Sequence, residues 1–222
     1  FGADALEANT TGSENTAVGL RALEANTTGN ANTGIGRKAI TTNTTGSLNT
    51  AVGTDALYSN TTGNNNVAIG YQALENNTTG ISNIGIGASA LDSNTESSYN
   101  IAIGEYALET QNNAANDNTA VGYKALKANT TGDQNVGIGN SALLANTTGN
   151  QSVAIGVNAL AAHTTAGSSV AIGYNALKTV TTGIRNTAIG WSALGTTTGG
   201  QNTALGYGAG SGLGAASQNT FI

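Results

Sequence analysis

The sequence predicts an all-β fold, a parallel β-solenoid in which one seventeen-residue repeat forms one coil. Two observations predict it: a glycine after an apolar, mostly β-branched residue recurs at nearly constant spacing, and each repeat carries a short alternation of β-branched and very small residues. The spacing is 17, apart from one 18 (Gly104 to Gly122) and one 16 (Gly190 to Gly206). The recurring glycines are Gly2, Gly19, Gly36, Gly53, Gly70, Gly87, Gly104, Gly122, Gly139, Gly156, Gly173, Gly190 and Gly206.

One repeat, Asn15–Ala31, has the sequence NTAVGLRALEANTTGNA, and its residues define repeat positions 1 to 17. Position 2 is Thr, Val or Ile, position 3 is mostly Ala with some Gly, position 4 is mostly Val or Ile, and position 5 is Gly. This alternation predicts a strand with positions 2 and 4 on one face and position 3 on the other. Position 1 is Asn in eleven of thirteen repeats, which predicts a ladder of stacked Asn side chains.

A second apolar pair follows at position 8, which is always Ala, and position 9, which is Leu or Ile except at Gly210. We expect a second short strand there, so that each coil contains two strands and two turns. The tetrapeptide NTTG at positions 12–15 predicts one turn, because Asn and Gly tolerate positive φ and Asn and Thr side chains satisfy nearby backbone groups. The eighteen-residue repeat predicts a local bulge around Gln111–Asn116.

The faces of these strands predict self-association. Neighbouring strand residues point in opposite directions, so both predicted strands present apolar or very small groups on two faces. A thin coil buries only one face of each strand, and we therefore expect the small residues and the Ala/Leu pair to pack against other copies of the chain.

Composition excludes several classes of function. The chain has no Cys, only 9% charged residues and a net charge of −5, which argues against disulfides, thiolate metal sites and a nucleic-acid interface. No apolar run reaches the ~18 residues of a membrane span, so we expect no membrane insertion within this segment. His163, the one His, stands at a turn position and is predicted to be solvated. Nothing predicts a catalytic set, a metal or a cofactor, and we expect no enzyme activity.

With the positions set out, the repeat resembles the YadA-like head repeat of trimeric autotransporter adhesins. The matching strings are NVAIGYQA at Asn66–Ala73, SVAIGVNA at Ser152–Ala159 and SVAIGYNA at Ser169–Ala176. The family's repeat is nearer fourteen residues, and the extra residues here fall in the NTTG turn. The repeats are also similar to those of phage tail fibres and large surface fibre proteins. The resemblance implies a left-handed parallel β-roll of three chains, here about 13 coils, and an extracellular location on a cell surface or a virion-like particle.

The expected function is that of a structural or adhesive fibre segment, an adhesin head or tail-fibre shaft, with residues 1–222 forming a single repeat array within a longer fibre. The alternative is an ice- or surface-binding β-solenoid, since Thr rows on stacked coils can order water. Aromatic residues at position 6 are the candidate ligand contacts, either packing along the rod and between chains or stacking on sugars of a host-surface glycan or matrix. They are Tyr71, Tyr123, Tyr174, Trp191 and Tyr207.

Overall fold

The fold, seen in a computed structural model that describes residues 2–112 and 115–222, is all-β and parallel, with one strand in each repeat. It is described as two compact units, Phe1–Asn113 and Ala114–Ile222. The first unit contains β1 (Thr16–Val18), β2 (Thr33–Ile35), β3 (Thr50–Val52), β4 (Val67–Ile69), β5 (Ile84–Ile86) and β6 (Ile101–Ile103). The second contains β7 (Thr119–Val121), β8 (Val136–Ile138), β9 (Val153–Ile155), β10 (Val170–Ile172), β11 (Thr187–Ile189), β12 (Thr203–Leu205) and β13 (Thr220–Phe221).

Within each unit the strands pair in sequence order and in register, so that equal repeat positions face one another. Thr16 pairs with Thr33 and Val18 with Ile35 in the first unit, and Val153 pairs with Val170 in the second. This confirms the predicted solenoid with a seventeen-residue coil.

Strands β1 to β12 each end just before the position-5 glycine because of the backbone conformation there. These glycines have φ between 129° and 142°, a region that L side chains rarely adopt. A Cβ on Gly36 would also lie 2.4 Å from the carbonyl oxygen of Gly53 in the next coil. The recurring glycine is therefore required twice, by its dihedral angle and by the close approach of successive coils.

The predicted second strand is wrong. Positions 7 to 9 form a turn in which alternate residues are left-handed, with φ of 59° at Arg21 and 53° at Leu23. This conformation lets the neighbouring residues Ala22 and Leu23 both point inward, where each is fully buried. The Ala/Leu pair thus forms the core of its own coil and needs no second chain to cover it.

The small residues of each strand face the inside of the coil. Position 3 is buried, as at Ala51 and Ala68, while positions 2 and 4 point outward. The limited space inside the coil explains why position 3 carries only Ala or Gly in the complete strands. A Cβ on Gly34 would lie 3.2 Å from the carbonyl oxygen of Ala39 and 3.4 Å from Cγ of Leu23. The expectation that the small residues face a partner is therefore wrong, and it is the β-branched residues that lack cover.

The NTTG turn also differs from its prediction. Left-handed φ values of 50–62° fall on non-glycine residues at positions 7, 9 and 17, and the Asn and Gly of the tetrapeptide have no positive φ. The glycine is needed for proximity, since a Cβ on Gly29 would lie 2.2 Å from the carbonyl oxygen of Gly46 and 2.5 Å from Oδ1 of Asn26. The bulge predicted around Gln111–Asn116 includes residues 113 and 114, which lie outside the described residues.

Candidate functional site

The outward side of the strands is a candidate surface, and in each unit we call positions 2 and 4 of the strands the sheet face. Position 4 is the more exposed, at 40% for Val18, 39% for Ile35 and 38% for Ile103 in the first unit, and 36% for Ile155 in the second. No charged residue occupies position 2 or position 4 in any strand. Each unit thus carries a regular, uncharged, partly exposed row of mostly β-branched side chains, the kind of surface that marks interaction sites.

The aromatic residues at position 6 are all exposed in the single chain. The exposed fractions are 55% for Tyr71, 41% for Tyr123, 46% for Tyr174, 46% for Trp191 and 79% for Tyr207. Nζ of Lys124 lies 4.8 Å from the ring centroid of Tyr123, a cation–π contact. Exposure alone does not show that these rings contact a ligand, so glycan binding stays a prediction.

Three of these rings stack on one another in the second unit. Tyr174 and Trp191 have centroids 5.8 Å apart at an interplanar angle of 15°, and Trp191 and Tyr207 have centroids 4.8 Å apart at 8°. Both faces of the Trp191 ring are therefore directed at neighbouring tyrosines, and its edge is directed at solvent. A sugar that approaches this stack from the side meets ring edges, which differs from the flat platform that face-on stacking needs.

Two buried asparagine ladders fix the register of the coils. The position-1 ladder was predicted, and Nδ2 of Asn49 donates to Oδ1 of Asn32 at 3.1 Å. The second ladder, at position 12, was missed because those residues were assigned to an exposed turn; Nδ2 of Asn43 donates to Oδ1 of Asn26 at 2.7 Å. The two ladders meet at Gly46, whose carbonyl oxygen accepts from Nδ2 of Asn32 at 2.8 Å and of Asn43 at 2.9 Å.

The burial of position 12 also bears on the N-T-T triplets, which have the form of glycosylation sequons. Asn26, Asn43, Asn60, Asn77 and Asn146 are fully buried, and their amide nitrogens donate hydrogen bonds inside the coil. These asparagines are therefore structural in the folded chain.

His163 interrupts the position-12 ladder, and its predicted solvation is wrong. Its side chain is fully buried, and neither ring nitrogen has a hydrogen-bond partner among the described residues. Oδ1 of Asn146, the previous ladder member, likewise has no partner in that part of the chain. Burial lowers the pKa of His163 to about 4, and no charged group contributes to the shift. The imidazole is therefore neutral at pH 7.

Carboxylates at position 10 form a second feature that sequence reasoning missed. Glu75, Asp92 and Glu109 occupy this position in three successive repeats of the first unit, and the seventeen-residue spacing was the available signal. Burial first, and then the charges of Asp92 and Asp55, raise the pKa of Glu75. Burial and then the charge of Glu109 raise the pKa of Asp92, against a lowering hydrogen bond from Asn76. The described residues contain no cluster of three or more His, Cys, Asp or Glu side chains suited to a metal ion.

Comparison of the chain with models of protein families, with curated proteins and with solved structures gives no match. In the described part of the chain no helix is long and apolar enough to cross a membrane.

Proposed function

We propose that this chain is a structural segment of an extracellular fibre, an adhesin head or a tail-fibre shaft, that associates with further copies of itself through the sheet face. The observation that carries the proposal is the row of partly exposed, uncharged, mostly β-branched side chains at positions 2 and 4. The fibre presents the rest of its surface repetitively and performs no chemistry. Any binding is multivalent, because each coil displays a similar outline.

Energetics favour covering this face. Six position-4 side chains in one unit leave on the order of 400 Å² of apolar surface in water, worth ~10 kcal/mol at the usual transfer coefficient before the cost of association is subtracted. Their outline repeats at every coil of the unit, so the same unit of a second copy in parallel register meets the same surface at each coil. The number of three copies comes from the resemblance to trimeric adhesins.

Sedimentation equilibrium of the full chain tests the proposal. We expect the wild type to have about three times the chain mass of 21.8 kDa. Replacing both Ile69 and Ile103 by Lys on the sheet face should give a monomer with unchanged circular dichroism, because two ammonium groups would be placed in the interface. The matched control is Leu48→Lys, at position 17 and 59% exposed, which should leave the mass unchanged. A wild type that stays monomeric at micromolar concentration contradicts the proposal.

One observation favours the alternative of an ice- or surface-binding solenoid. Thr16, Thr33 and Thr50 stand in register at position 2 of β1–β3 and point outward beside Val or Ile at position 4. Such a row could order water. Thermal hysteresis and ice shaping by the wild type, abolished by Thr33→Lys, would favour this function over self-association.

A further inference from the structure

A groove in the second unit owes its existence to one glycine. The repeat from Asn186 to Gln201 has sixteen residues and carries Gly195 at position 10, where the neighbouring repeats carry Lys178 and Ser211. The gap between those two side chains is a cavity of about 260 Å³ with the buried Gly195 at its floor. This volume suits about one sugar ring and lies just below the ~300 Å³ typical of pockets for drug-sized ligands.

Every residue that lines the groove except Gly195 has a polar side chain, and one of them is charged, although carbon atoms make up most of the lining surface. Asn175 and Ser192 form one wall, Thr196 and Ser211 line the groove beside Gly195, and Lys178 stands at its exposed rim. The hydroxyl of Thr179 donates to the carbonyl oxygen of Gly195 at 3.1 Å. An amide and several hydroxyls in one small concavity are the donors and acceptors that a hydroxyl-rich ligand requires.

The sequence around the groove supplies no acidic side chain that could pair with Lys178. Residues 134–222 contain no Asp and no Glu, whereas residues 1–113 contain ten. No ion pair of Lys178 is found among the residues that the structure describes. The ammonium group is therefore available to a carboxylate brought by a ligand, and nothing acidic on this stretch of chain repels such a ligand.

Aromatic surface lies next to the groove in the chain. Tyr174 immediately precedes Asn175, and Trp191 immediately precedes Ser192. Both rings are 46% exposed. Their faces are directed along the stack, and neither ring is among the residues that line the groove.

We propose that the groove at Gly195 binds an acidic saccharide, with Lys178 pairing with its carboxylate and Asn175, Ser192 and Ser211 hydrogen-bonding its hydroxyls. This deepens the proposed function, because it rests on a presented surface and names a ligand class for one place on it. Its test does not depend on the number of copies in the fibre, so either proposal can fail while the other stands.

The single tryptophan supplies the readout. Trp191 is the only Trp in the chain, so its fluorescence reports on this region alone. Tetragalacturonate, titrated into the full chain, should change the emission saturably. The fully methyl-esterified tetrasaccharide has the same sugars without charge and should bind at least tenfold more weakly.

Variants separate the groove from general charge attraction. Lys178→Gln should weaken tetragalacturonate binding at least tenfold, whereas Lys127→Gln, at position 10 outside the groove, should change it less than twofold. Gly195→Leu should abolish binding by filling the gap, and position 10 already accepts leucine at Leu144. An unchanged melting temperature would show that these variants stay folded.

Four results would overturn the proposal. They are the absence of a saturable change with the wild type, equal binding of the esterified sugar, wild-type affinity in Lys178→Gln, and displacement of the sugar by sulfate at equal concentration. The last would identify a site for small anions only.

Discussion

Asn26 and Asn43, seventeen residues apart and both fully buried, are joined by a hydrogen bond of 2.7 Å from Nδ2 of Asn43 to Oδ1 of Asn26. The same amide also donates to the carbonyl oxygen of Gly46, which closes its own turn. One side chain therefore fixes both the turn and the register between coils. A slip of one residue between coils would break the ladder bonds but not the bond within each turn, and this penalty matters in a repetitive sequence whose strands are at most three residues long.

Removing one member of this ladder should be costly. Asn43→Ala leaves Oδ1 of Asn26 without its donor and removes one of the two donors to the Gly46 carbonyl. We expect a loss of about 2–4 kcal/mol in the free energy of unfolding, from the lost bonds and the unpaired buried oxygen. Chemical denaturation measures this, with Asn140→Ala, at an exposed position, as a control that should change stability by less than about 0.5 kcal/mol. Equal losses in the free energy of unfolding for the two substitutions would show that the ladder hydrogen bonds do not stabilise the fold.

Much of this architecture could be predicted from the sequence, and the errors have one physical cause. The period, the strand at positions 2–4 and the position-1 ladder follow from residue types that recur at 17. Left-handed conformations at residues such as Arg21 and Leu23 carry no such signal, because neither residue type favours positive φ. Without them the Ala/Leu pair resembles a strand, and the burial of Asn26 and His163 at position 12 is missed.

Only part of the candidate surface could likewise be predicted from the sequence. The sequence places Trp191 and the other aromatic rings at one repeat position, and the structure shows that these rings are exposed in the single chain. Their stacking could not be predicted, since it depends on rotamers and on the distance between coils. The groove at Gly195 could not be predicted from the short repeat alone, because it also depends on how Lys178 and Ser211 pack beside Gly195.

His163 should make the chain sensitive to acid. Its pKa is lowered by burial to about 4 in the folded state, from an ordinary value of 6.5. The unfolded state therefore binds more protons as the pH falls below about 6.5, and stability is lost progressively until about pH 4. The complete loss is on the order of 3 kcal/mol at 1.36 kcal/mol for each pKa unit.

The variant His163→Asn isolates this effect. It restores a ladder donor opposite Oδ1 of Asn146 and removes the titrating group. At pH 7 we expect a gain of about 1–2 kcal/mol from the restored hydrogen bond. Urea unfolding between pH 7 and pH 4 should show that the gap between wild type and variant widens as the pH falls. A gap that stays constant would mean that His163 does not titrate in this range.

The carboxylates at position 10 should act in the opposite direction. The pKa of Asp92 is raised by burial and by Glu109, so its folded-state value exceeds its unfolded one. Its protonation favours folding below the unfolded pKa, and that advantage is lost as the pH rises through the folded pKa. Asp92→Asn keeps an acceptor for Asn76, which donates to Oδ1 of Asp92 at 3.1 Å, and removes the charge. We expect it to stabilise the chain by roughly 0.5 kcal/mol at pH 7, as for relief of facing like charges, and to lose that advantage at pH 3. Greater stability of the wild type at pH 7 would contradict this.

The left-handed residues predict a paired glycine experiment. Ala31 has a φ of 53° at position 17, a conformation that costs a non-glycine residue about 1–2 kcal/mol. Ala31→Gly should therefore stabilise the chain by about 0.5–1 kcal/mol after the greater entropy of the unfolded glycine is subtracted. Ala25 has no positive φ, so Ala25→Gly should destabilise by a similar amount. Thermal melts of the two variants should move in opposite directions, and a shift of both in one direction would contradict the role of the backbone.

The stacked rings should stabilise the second unit whether or not they bind a ligand. Trp191 contacts Tyr174 on one face and Tyr207 on the other, and each aromatic pair contributes about 0.5–1.5 kcal/mol beyond the burial of area. Trp191→Ala should therefore lower the free energy of unfolding by roughly 1–3 kcal/mol. Tyr71→Ala serves as the control, because Tyr71 is 55% exposed at the same repeat position, and its loss should cost less than about 0.5 kcal/mol. Double-mutant cycles of Trp191 with Tyr174 and with Tyr207 then measure each contact separately. Coupling energies near zero in both cycles would show that the rings lie together without stabilising the coil. Contact with a ligand or another chain would then remain as the reason for aromatic residues at position 6.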